Sequence, residues 1–293
     1  MGTYSIKELE QLSGIKAHTI RIWEKRHKLI EPSRTNTNIR YYSDYDLKKI
    51  INVSLLNNNG FKISAIARMN EAELIEKVIE LSNSGKEKRI YIDQLVTQML
   101  DLDEEKFEAE LDGIETKFGF EATITEVIYP FLEKIGVLWQ TGNITPAHEH
   151  FISNLVRQRL IVGIASLPVA SKATIRAVLF LPEHELHEIA LLFFHYITRK
   201  AGFKTFYLGQ SVPHEDLKTV CSIHKPHLLI TSLTTIPTIN QLNAYLQKLS
   251  SDFPSSKILA TGSMLRKASF HFPSNLKFFK DAFELKSILA AMK

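Results

Sequence analysis

The sequence has little of what marks secreted, membrane-spanning or disulfide-stabilised proteins. Cys221 is the single cysteine among 293 residues, so no disulfide can form within the chain, as is usual in a reducing compartment. No apolar stretch reaches the ~18 residues that a membrane span requires. The opening segment, MGTYSIKELEQ, lacks the basic-then-apolar order of a secretory signal. These absences predict a cytoplasmic protein without a membrane partner.

Motifs of catalysis are also missing. The chain has neither the Gly-x-Ser-x-Gly motif of a nucleophilic serine nor a phosphate-binding P-loop. Apolar (44%) and charged (23%) contents are those of an ordinary globular protein. Cys221 lies in an amphipathic run, LKTVCSIHK, where helical packing explains it better than a reactive thiol does. We therefore expect a non-enzymatic chain, long enough for two or three domains.

The charge is unevenly distributed, although the net charge is only +4. Residues 1–70 contain 12 Lys and Arg against 6 Asp and Glu, whereas residues 71–170 contain 9 against 18. Residues 171–293 are basic again, with 15 against 8. A basic block followed by an acidic one favours contact between the first block and a polyanion such as DNA. A merely solvated basic surface is the alternative at this point.

The N-terminal segment has the pattern of a winged helix-turn-helix. Apolar periodicity predicts a helix over residues 5–13, which Gly14 ends, and a second short helix over residues 16–27. Two short helices joined by a tight turn are typical of the helix-turn-helix. Residues 29–42 carry a polar tip between extended runs, which predicts a β-hairpin wing, and residues 43–56 form a further helix.

The second helix and the wing carry the side chains best suited to DNA. A helix N-terminus in the major groove contacts base edges, while Arg, Lys and Tyr side chains hold the phosphate backbone. The candidate DNA-binding residues are His18, Thr19, Arg21 and Lys25 on the helix and Arg34, Arg40, Tyr41 and Tyr42 on the wing. Because one short helix contacts too few base pairs for specific binding, we expect a homodimer or a higher homo-oligomer.

Polar, punctuated segments divide the rest of the chain. Residues 83–88 place a boundary after a DNA-binding domain of residues 1–82, and a linker at residues 167–171 precedes a domain of residues 172–293. Between them, short links join four helical segments, which predicts a four-helix bundle over residues 89–167. Its helices are expected at residues 90–101, 103–117, 119–140 and 145–166.

The last domain alternates between strands and helices. Apolar, β-prone runs occur at residues 175–181, 204–208, 227–233, 257–261 and 277–280. Helical patterns lie between and after them, at residues 185–201, 214–223, 238–250 and 283–292. This alternation predicts a doubly wound five-stranded parallel sheet, and such sheets bind ligands at the carboxyl ends of their strands. The fold class is therefore multidomain, α and α/β.

One candidate ligand site lies at the third link of the bundle. Trp139 ends one helix, and Glu149 and His150 lie in the first turns of the next. An outward-facing Trp near a turn is able to cover a flat ligand. The alternative is that Trp139 packs inside the bundle and His150 is solvated.

A second candidate site follows the first strand of the sheet. His187 lies two residues after Glu185, a carboxylate that would orient the imidazole and raise its basicity as a metal ligand. An oriented surface histidine is the alternative. Zinc at His184 and His187 is disfavoured, because only two close ligands are evident and no cysteine is near.

Residues 4–48 resemble the DNA-binding domain of the MerR family of transcription regulators. The runs Thr19-Ile-Arg-Ile-Trp-Glu and Arg40-Tyr-Tyr-Ser-Asp-Tyr-Asp-Leu are typical of that family and occur in the family's order. The resemblance implies contacts to double-stranded promoter DNA from Thr19 and Arg21 on the recognition helix and from Arg40 and Tyr42 on the wing. It also implies dimers on near-palindromic promoter sites.

Residues 75–293 resemble the pair of domains, a helical cap and a Rossmann-like domain, that binds cobalamin (vitamin B12). This pair occurs in methionine synthase and in B12-dependent MerR-type repressors of carotenoid synthesis. The cap motif Trp-x9-Glu-His corresponds to Trp139, Glu149 and His150. The resemblance implies that cobalamin is held between the two domains, with Trp139 above the corrin ring.

The cobalt-ligand motif of the same family, Asp-x-His-x-x-Gly, corresponds to Glu185, His187 and Ala190, which implies His187 as the cobalt ligand. Later motifs correspond to Gly209, Ser232, Gly262 and Ser263. The chain departs from the family by Glu for Asp at 185, Ala for Gly at 190 and Ser for Gly at 263. It also has Gln140 where the light-sensing branch has a histidine, which argues against a photoreceptor.

Together these features predict a MerR-type repressor whose DNA binding or oligomeric state is controlled by cobalamin. One alternative is a cobalamin-independent MerR-type regulator whose sensor region binds a partner protein or another small molecule. A corrinoid methyl-carrier protein is the other, but such a carrier has no need of the DNA-binding head in residues 4–48.

Overall fold

The computed structural model describes residues 3–35, 38–84, 88–140, 144–170, 175–234, 238–266 and 272–292. Its contacts divide the chain into two compact units, Met1–Asn154 and Leu155–Lys293. Within the described part of the chain, no helix combines the length and the apolar character needed to cross a membrane. The three-domain division made from the sequence stays a prediction, and we refer below to the head, the bundle and the sheet for convenience.

The helix-turn-helix of the head is built as the sequence predicts. Helix α1 (Ile6–Ser13) begins at a capping box, in which Ser5 and Glu8 each bond the other's backbone N–H, and it ends at Gly14 with a φ of 73°. Helix α2 (Ala17–His27) is the predicted recognition helix, and it buries Ile20 and Trp23 against the core. The glycine permits the left-handed turn that separates the two helices.

The wing is a three-stranded sheet rather than a simple hairpin. Its strands are β1 (Thr3–Tyr4), β2 (Ser33–Arg34) and β3 (Arg40–Ser43), with β3 in the centre and antiparallel to both neighbours. The hairpin of β2 and β3 is the predicted wing. Strand β1 was not predicted, because two residues give no periodicity and their partners in β3 lie about forty residues away.

Three helices complete the head: α3 (Asp44–Asn58), α4 (Ile63–Ile66) and α5 (Glu71–Ser84). A second capping box, between Ser43 and Asp46, starts α3 directly after β3. Helix α3 supplies much of the core, including Leu47, Ile50 and Leu56, which are all fully buried. Because α3 follows β3 directly and packs in the core, it connects the wing to the rest of the head.

Four helical segments follow, as predicted, but the third is not continuous. The helices are α6 (Lys88–Asp101), α7 (Glu104–Phe118), α8 (Phe120–Thr123), α9 (Tyr129–Gln140) and α10 (Pro146–Ala165). A π-helical turn (Ile124–Ile128) joins α8 to α9, so the helix expected over residues 119–140 contains one wider turn. Helix α6 packs against α7, α9 and the π-helical turn, and it also contacts α3 and α5 of the head.

A buried ion pair of the bundle contacts the end of α1. The Asp93 carboxylate, with 4% of its side chain exposed, pairs with Lys134 of α9. The Lys134 ammonium also donates to the carbonyl of Leu12 at 3.2 Å, and Arg89 Nη2 donates to the carbonyl of Ser13 at 3.0 Å. These cations satisfy carbonyls at the C-terminus of α1, where the helix dipole favours positive charge.

The second unit is the expected doubly wound sheet. Its strands are β4 (Arg176–Pro182), β5 (Lys204–Val212), β6 (Leu228–Ser232), β7 (Lys257–Thr261) and β8 (Leu276–Phe278). All neighbours are parallel, and the strand order is β5-β4-β6-β7-β8. Strand β5 lies on one side of β4, whereas β6, β7 and β8 follow on the other side. The order of the strands therefore reverses between β4 and β6, and such a switch point is where doubly wound sheets bind ligands.

Helices cover both faces of this sheet. They are α11 (Ile189–Lys200), α12 (His214–His224), α13 (Ile239–Asp252), α14 (Ser263–Arg266) and α15 (Ala282–Ala290). Cys221, on α12, packs in the buried core of this unit, as a structural residue would. The helix predicted to start at residue 185 starts at Ile189, because residues 183–188 form a loop with its own side-chain hydrogen bonds.

A buried histidine lies where α11 packs on β5. His195 stacks on Tyr207 with ring centroids 4.9 Å apart, and its Nε2 lies 2.9 Å from Thr205 Oγ1. Burial, aided by the nearby Arg199 charge, lowers the pKa of His195 to about 4. The imidazole is therefore neutral at pH 7.

We predict that Lys134→Met destabilises the protein by on the order of 3 kcal/mol, because the buried Asp93 carboxylate loses its nearest cation and is left with Arg89, whose Nε lies 3.9 Å from Asp93 Oδ2. Burial already raises the pKa of Asp93 above 3.8 despite Lys134. The substitution should raise the pKa of Asp93 further. The stability that the variant loses relative to the wild type should therefore grow as pH rises through the folded-state pKa of Asp93 and shrink below it. Urea unfolding measures the loss. Lys106→Met, which removes an exposed partner of Asp103, is the matched control and should cost under about 1 kcal/mol.

A second prediction concerns His195. Its folded-state pKa lies below the unfolded value, so its contribution to stability is complete above pH 6.5 and falls as pH drops towards about 4. Between pH 7.5 and pH 5 the wild-type protein should lose about 2 kcal/mol through this group. His195→Gln keeps a hydrogen-bonding side chain but does not titrate. In urea unfolding, this variant should therefore lose less stability than the wild type between pH 7.5 and pH 5. An unchanged difference between the two pH values would contradict the assignment.

Candidate DNA-binding surface and ligand site

The recognition helix presents its polar face to solvent. His18, Arg21 and Lys25 are exposed, and Thr19 is half-buried. Ile22, on the same helix, is also 45% exposed, which leaves an apolar side chain among the cations. Because Ile20 and Trp23 anchor the opposite face, the exposed face is rigidly held and able to enter a groove.

Glu24 connects the recognition helix to the wing. Its Oε1 pairs with Arg40 Nε at 3.0 Å, and its Oε2 accepts a long hydrogen bond of 3.5 Å from the Tyr42 hydroxyl. Tyr42 is fully buried, so in this conformation it offers no surface to a DNA backbone. Burial also raises the pKa of Tyr42 to about 12. Arg40 stays partly exposed and is oriented by the carboxylate.

The other wing residues lie at the surface. Arg34 is exposed, and its Nη1 donates to Asn38 Oδ1 at 2.7 Å across the hairpin. Tyr41 is 36% exposed and follows Arg40 on the central strand. Thus seven of the eight predicted DNA-binding residues keep some accessible surface, with Tyr42 as the exception.

The cap-motif residues occupy the end of α9 and the start of α10. Trp139 is 48% exposed, which rules out the alternative that it packs inside the bundle in this conformation. Glu149 Oε2 lies 2.8 Å from His150 Nδ1, and Glu149 Oε1 accepts a 2.6 Å hydrogen bond from Ser153 Oγ. The Gln140 side chain lies outside the described residues.

Glu185 and His187 form a close pair in the loop after β4. Glu185 Oε1 lies 2.6 Å from His187 Nδ1 and accepts a 3.1 Å hydrogen bond from the backbone N–H of His187. The carboxyl is buried, whereas 63% of the His187 side chain is exposed. Glu185 Oε2 accepts a hydrogen bond of 2.8 Å from the N–H of Thr234, in the loop after β6. One carboxylate therefore orients the imidazole and bridges the two loops at the switch point.

The end of β5 holds the same loop from the other side. The N–H of Ser211 donates to the carbonyl of Glu185 at 3.1 Å, and Ser211 Oγ accepts from the N–H of His184 at 3.1 Å. Gln210 Nε2 donates to the carbonyl of Leu186 at 2.8 Å. The loop that carries His187 is thus fixed on both sides, which preorganises the imidazole.

A side-chain network around the buried Glu188 lies directly after His187. Glu188 Oε1 pairs with Arg157 Nε at 2.6 Å, and its Oε2 accepts a 3.0 Å hydrogen bond from the Tyr207 hydroxyl. Burial and the Glu188 charge raise the pKa of Tyr207. A Cβ on Gly209 would lie 3.4 Å from the Tyr207 ring, and its φ of 78° also favours glycine. The predicted Gly209 therefore lies against this network.

The remaining predicted residues lie at strand ends and helix starts. A Cβ on Gly262, after β7, would lie 2.1 Å from the carbonyl oxygen of Leu233, so this glycine lets the loops after β6 and β7 touch. Ser232 is the buried last residue of β6, Ser263 is exposed at the start of α14, and Ala190 is half-buried in the first turn of α11.

Several residues of these sites were not found from the sequence. Glu24, Arg157, Glu188 and Thr234 each act through partners that are distant in sequence, so spacing gives no signal for them. Glu24 does lie inside the typical Trp-Glu run, which was the available hint. The described residues contain no group of three or more His, Cys, Asp or Glu side chains arranged to hold a metal ion, so His187 has one carboxylate as its partner rather than a cage.

Comparisons with known proteins agree with this geometry. Residues 4–73 match the MerR HTH family regulatory protein model, and residues 91–162 match the B12 binding domain model. Two curated relatives are HTH-type transcriptional repressors of Myxococcus xanthus. CarH is 29% identical over 73% of this chain and 73% of its own length, and CarA is 27% identical over 78% and 76%.

A solved structure supports the fold. The Methanosarcina barkeri monomethylamine corrinoid protein superposes with a TM-score of 0.55 at 15% identity, covering 71% of this chain and all of that one. The predicted resemblance to the MerR family and to B12-binding domains is thus confirmed. The chain thus contains a MerR-type helix-turn-helix domain and a B12 binding domain, and over about three quarters of its length it is similar to the CarH and CarA repressors.

Proposed function

We propose that this protein represses transcription from a promoter to which it binds through α2 and the wing, and that cobalamin bound through His187 controls this binding. The observation that carries the proposal is the Glu185–His187 pair at the switch point of a sheet in a chain with a MerR-type head. Repression is the activity named for CarH and CarA, the relatives that match three quarters of the chain.

DNA binding would rest on the exposed face of α2. Arg21 and Lys25 would meet base edges and phosphates, while Arg34 and Arg40 would hold the adjacent backbone. Glu24 orients Arg40 and meets Tyr42, so we assign Tyr42 a supporting role beneath the wing. A homodimer or a higher homo-oligomer would place two such heads on one operator, since a single head contacts too few base pairs.

The donor set at the switch point fits cobalamin. A neutral imidazole is a good cobalt ligand, and a carboxylate on Nδ1 sets the tautomer that offers Nε2 to a metal. Bound cobalamin would supply a cobalt centre that accepts a nitrogen ligand. His187 would provide that nitrogen, and Glu185 would hold the imidazole ring. The loops after β6 and β7, which touch at Gly262, would provide a surface for the ligand to pack against.

The cap-motif residues would provide further contacts to cobalamin. Trp139 presents an exposed apolar ring, and Glu149 is oriented by His150 and Ser153. Cobalamin would control DNA binding only if it binds the DNA-competent and DNA-free forms with different affinities. A change in oligomeric state satisfies that condition, because an oligomer with several heads binds a multi-site operator far more tightly.

Ala190 favours a second candidate, a MerR-type regulator that does not depend on cobalamin. Its methyl group lies in the first turn of α11, where the family has glycine, and Ser263 likewise replaces glycine at the start of α14. One added methyl group costs from nothing to a few kcal/mol, depending on how the site relaxes. If wild-type protein fails to bind cobalamin and Ala190→Gly restores binding, the second candidate is correct.

We predict that the full-length protein binds its own upstream DNA with an affinity that falls steeply as salt rises. Arg21→Ala should weaken this binding about tenfold or more, because a charged contact in the groove is lost. Lys218→Ala removes one exposed charge from α12 and should leave the affinity unchanged. Fluorescence anisotropy of a labelled duplex at several salt concentrations measures both variants. Salt-independent binding, or equal effects of the two substitutions, would refute the assignment of α2.

We also predict that cobalamin incubated with the protein co-elutes on gel filtration and changes its visible spectrum. His187→Ala should abolish the spectral change and weaken retention, because the nitrogen that would bind cobalt is missing, and Glu185→Gln should weaken both less. His184→Asn, in the same loop, should behave like the wild type, since asparagine tolerates its φ of 69°. None of the three should alter DNA binding by the apoprotein. An unchanged spectrum with wild-type protein excludes the cobalamin proposal.

A further inference from the structure

The amino edge of the parallel sheet, where its strands begin, carries a row of basic side chains. Arg176, Lys204 and Lys257 are the first residues of β4, β5 and β7, and His227 directly precedes β6. Because all the strands are parallel, these residues lie along one edge. Arg176 pairs with Lys204 in the register, and Leu228 pairs with Lys257, so the four positions follow the strand order β5-β4-β6-β7.

The row offers hydrogen-bond donors to solvent. Lys204, His227 and Lys257 are exposed, and Arg176 is half-buried. The Arg176 guanidinium is held in place because its Nε and Nη2 donate to the carbonyl of Lys225 at 3.2 and 3.0 Å. His227 Nδ1 accepts a hydrogen bond of 3.2 Å from the backbone N–H of Arg176, so the neutral imidazole carries its proton on Nε2.

Acidic residues are scarce at this edge. Asp252 is the one acid in the segments that lead into β5, β6 and β7, and its Oδ2 lies 2.7 Å from His214 Nε2. Among the described residues, no carboxylate forms an ion pair with Lys204 or Lys257. The same segments contain five Lys and Arg residues, and they comprise residues 199–204, 224–228 and 252–257.

Helix dipoles account for only part of this positive charge. Cations near a helix C-terminus offset its partial negative charge, and Lys200 and Lys225 have that position at the ends of α11 and α12. Lys204 and Lys257, in contrast, begin strands, and a sheet has only a small net dipole. An anionic partner therefore explains these two lysines better than helix capping does.

A linear polyanion fits the row better than a single small anion. Neighbouring strands lie about 4.8 Å apart, so four adjacent positions span roughly 14 Å. One phosphate reaches only part of such a row, whereas a nucleic-acid backbone presents successive phosphates along its length. Residues 171–293 as a whole also carry an excess of positive charge, with 15 Lys and Arg against 8 Asp and Glu.

We propose that the amino edge of the sheet binds the phosphate backbone of duplex DNA through Lys204, Arg176, His227 and Lys257. The inference rests on the proposed DNA binding by the head, because a bound head holds DNA at a high effective concentration for the rest of the same chain. The contact adds affinity that is independent of base sequence. The candidate cobalamin site lies beyond the carboxyl ends of the strands, so the two sites share no residues.

Lys204→Gln combined with Lys257→Gln in the full-length protein tests this surface. Loss of two phosphate contacts should lower the slope of log K against log salt by about 2 per bound protomer and raise the Kd for the upstream duplex about tenfold at low salt. Lys218→Gln combined with Lys248→Gln removes the same charge from exposed positions on α12 and α13 and should keep the wild-type slope. Fluorescence anisotropy measures both variants.

A tethered cleavage reagent tests the location of the contact independently. Cys221 is buried, and burial raises the pKa of its thiol to about 11, so a new surface cysteine reacts selectively with a thiol-directed iron-EDTA reagent at neutral pH. Full-length Lys257→Cys with this label should cut the bound duplex, because hydroxyl radicals react close to where they form. Asn243→Cys, labelled at an exposed position early in α13, should cut it far less.

Several outcomes would overturn the proposal. The edge does not bind DNA if the variant of Lys204 and Lys257 keeps the wild-type salt slope, if the control variant of Lys218 and Lys248 loses as much affinity, or if the label at position 257 cuts no more than the label at position 243. Unchanged DNA binding together with weaker binding to phosphatidylserine vesicles would instead indicate a membrane-surface contact.

The Arg21→Ala variant separates failure of this inference from failure of the proposed function. If Arg21→Ala weakens DNA binding and the edge variant does not, the head binds DNA and the sheet edge does not. If the wild-type protein shows no salt-dependent binding to the duplex, both proposals are wrong.

Discussion

The candidate ligand site depends on the hydrogen bonds that the buried Glu185 carboxylate accepts. It accepts hydrogen bonds from the loop after β4 and from the loop after β6, and it orients His187 between them. Such a bridge is possible only because β4 and β6 are neighbours although β5 separates them in sequence. The switch in strand order opens the crevice, and the carboxylate fixes the imidazole of His187 beside it.

Acidic residues play the same structural part elsewhere in the molecule. Glu24 ties the recognition helix to the wing through Arg40, and Glu188 ties the start of α11 to Arg157 and Tyr207. Asp93 holds Lys134, which in turn reaches the end of α1. In each case a carboxylate with little exposure joins segments that are far apart in sequence. Removing one partner of such a pair leaves an uncompensated charge, so a substitution at any of these contacts should lower the stability of the fold.

The contacts between head and bundle hold the end of α1 in place. Lys134 and Arg89 satisfy the carbonyls of Leu12 and Ser13, one turn before the recognition helix begins. The position of the recognition helix therefore depends on side chains of the bundle as well as on the core of the head.

Local patterns in the sequence determined the elements. The capping boxes at Ser5 and Ser43, the left-handed Gly14 and the alternation of strands and helices after residue 175 all act over a few residues, so periodicity and turn chemistry were sufficient to predict them. The pairing of Glu185 with His187 was also predicted, because the two residues are neighbours in one loop. The resemblance to known families supplied the partners expected of these elements, DNA and cobalamin.

Only the tertiary structure decided which residues support those sites. The burial of Tyr42, the strand β1, the π-helical turn before α9 and the partners Arg157 and Thr234 all depend on contacts across tens of residues. No sequence period encodes such contacts, because they arise when separate elements pack and each buried polar atom finds its donor or acceptor.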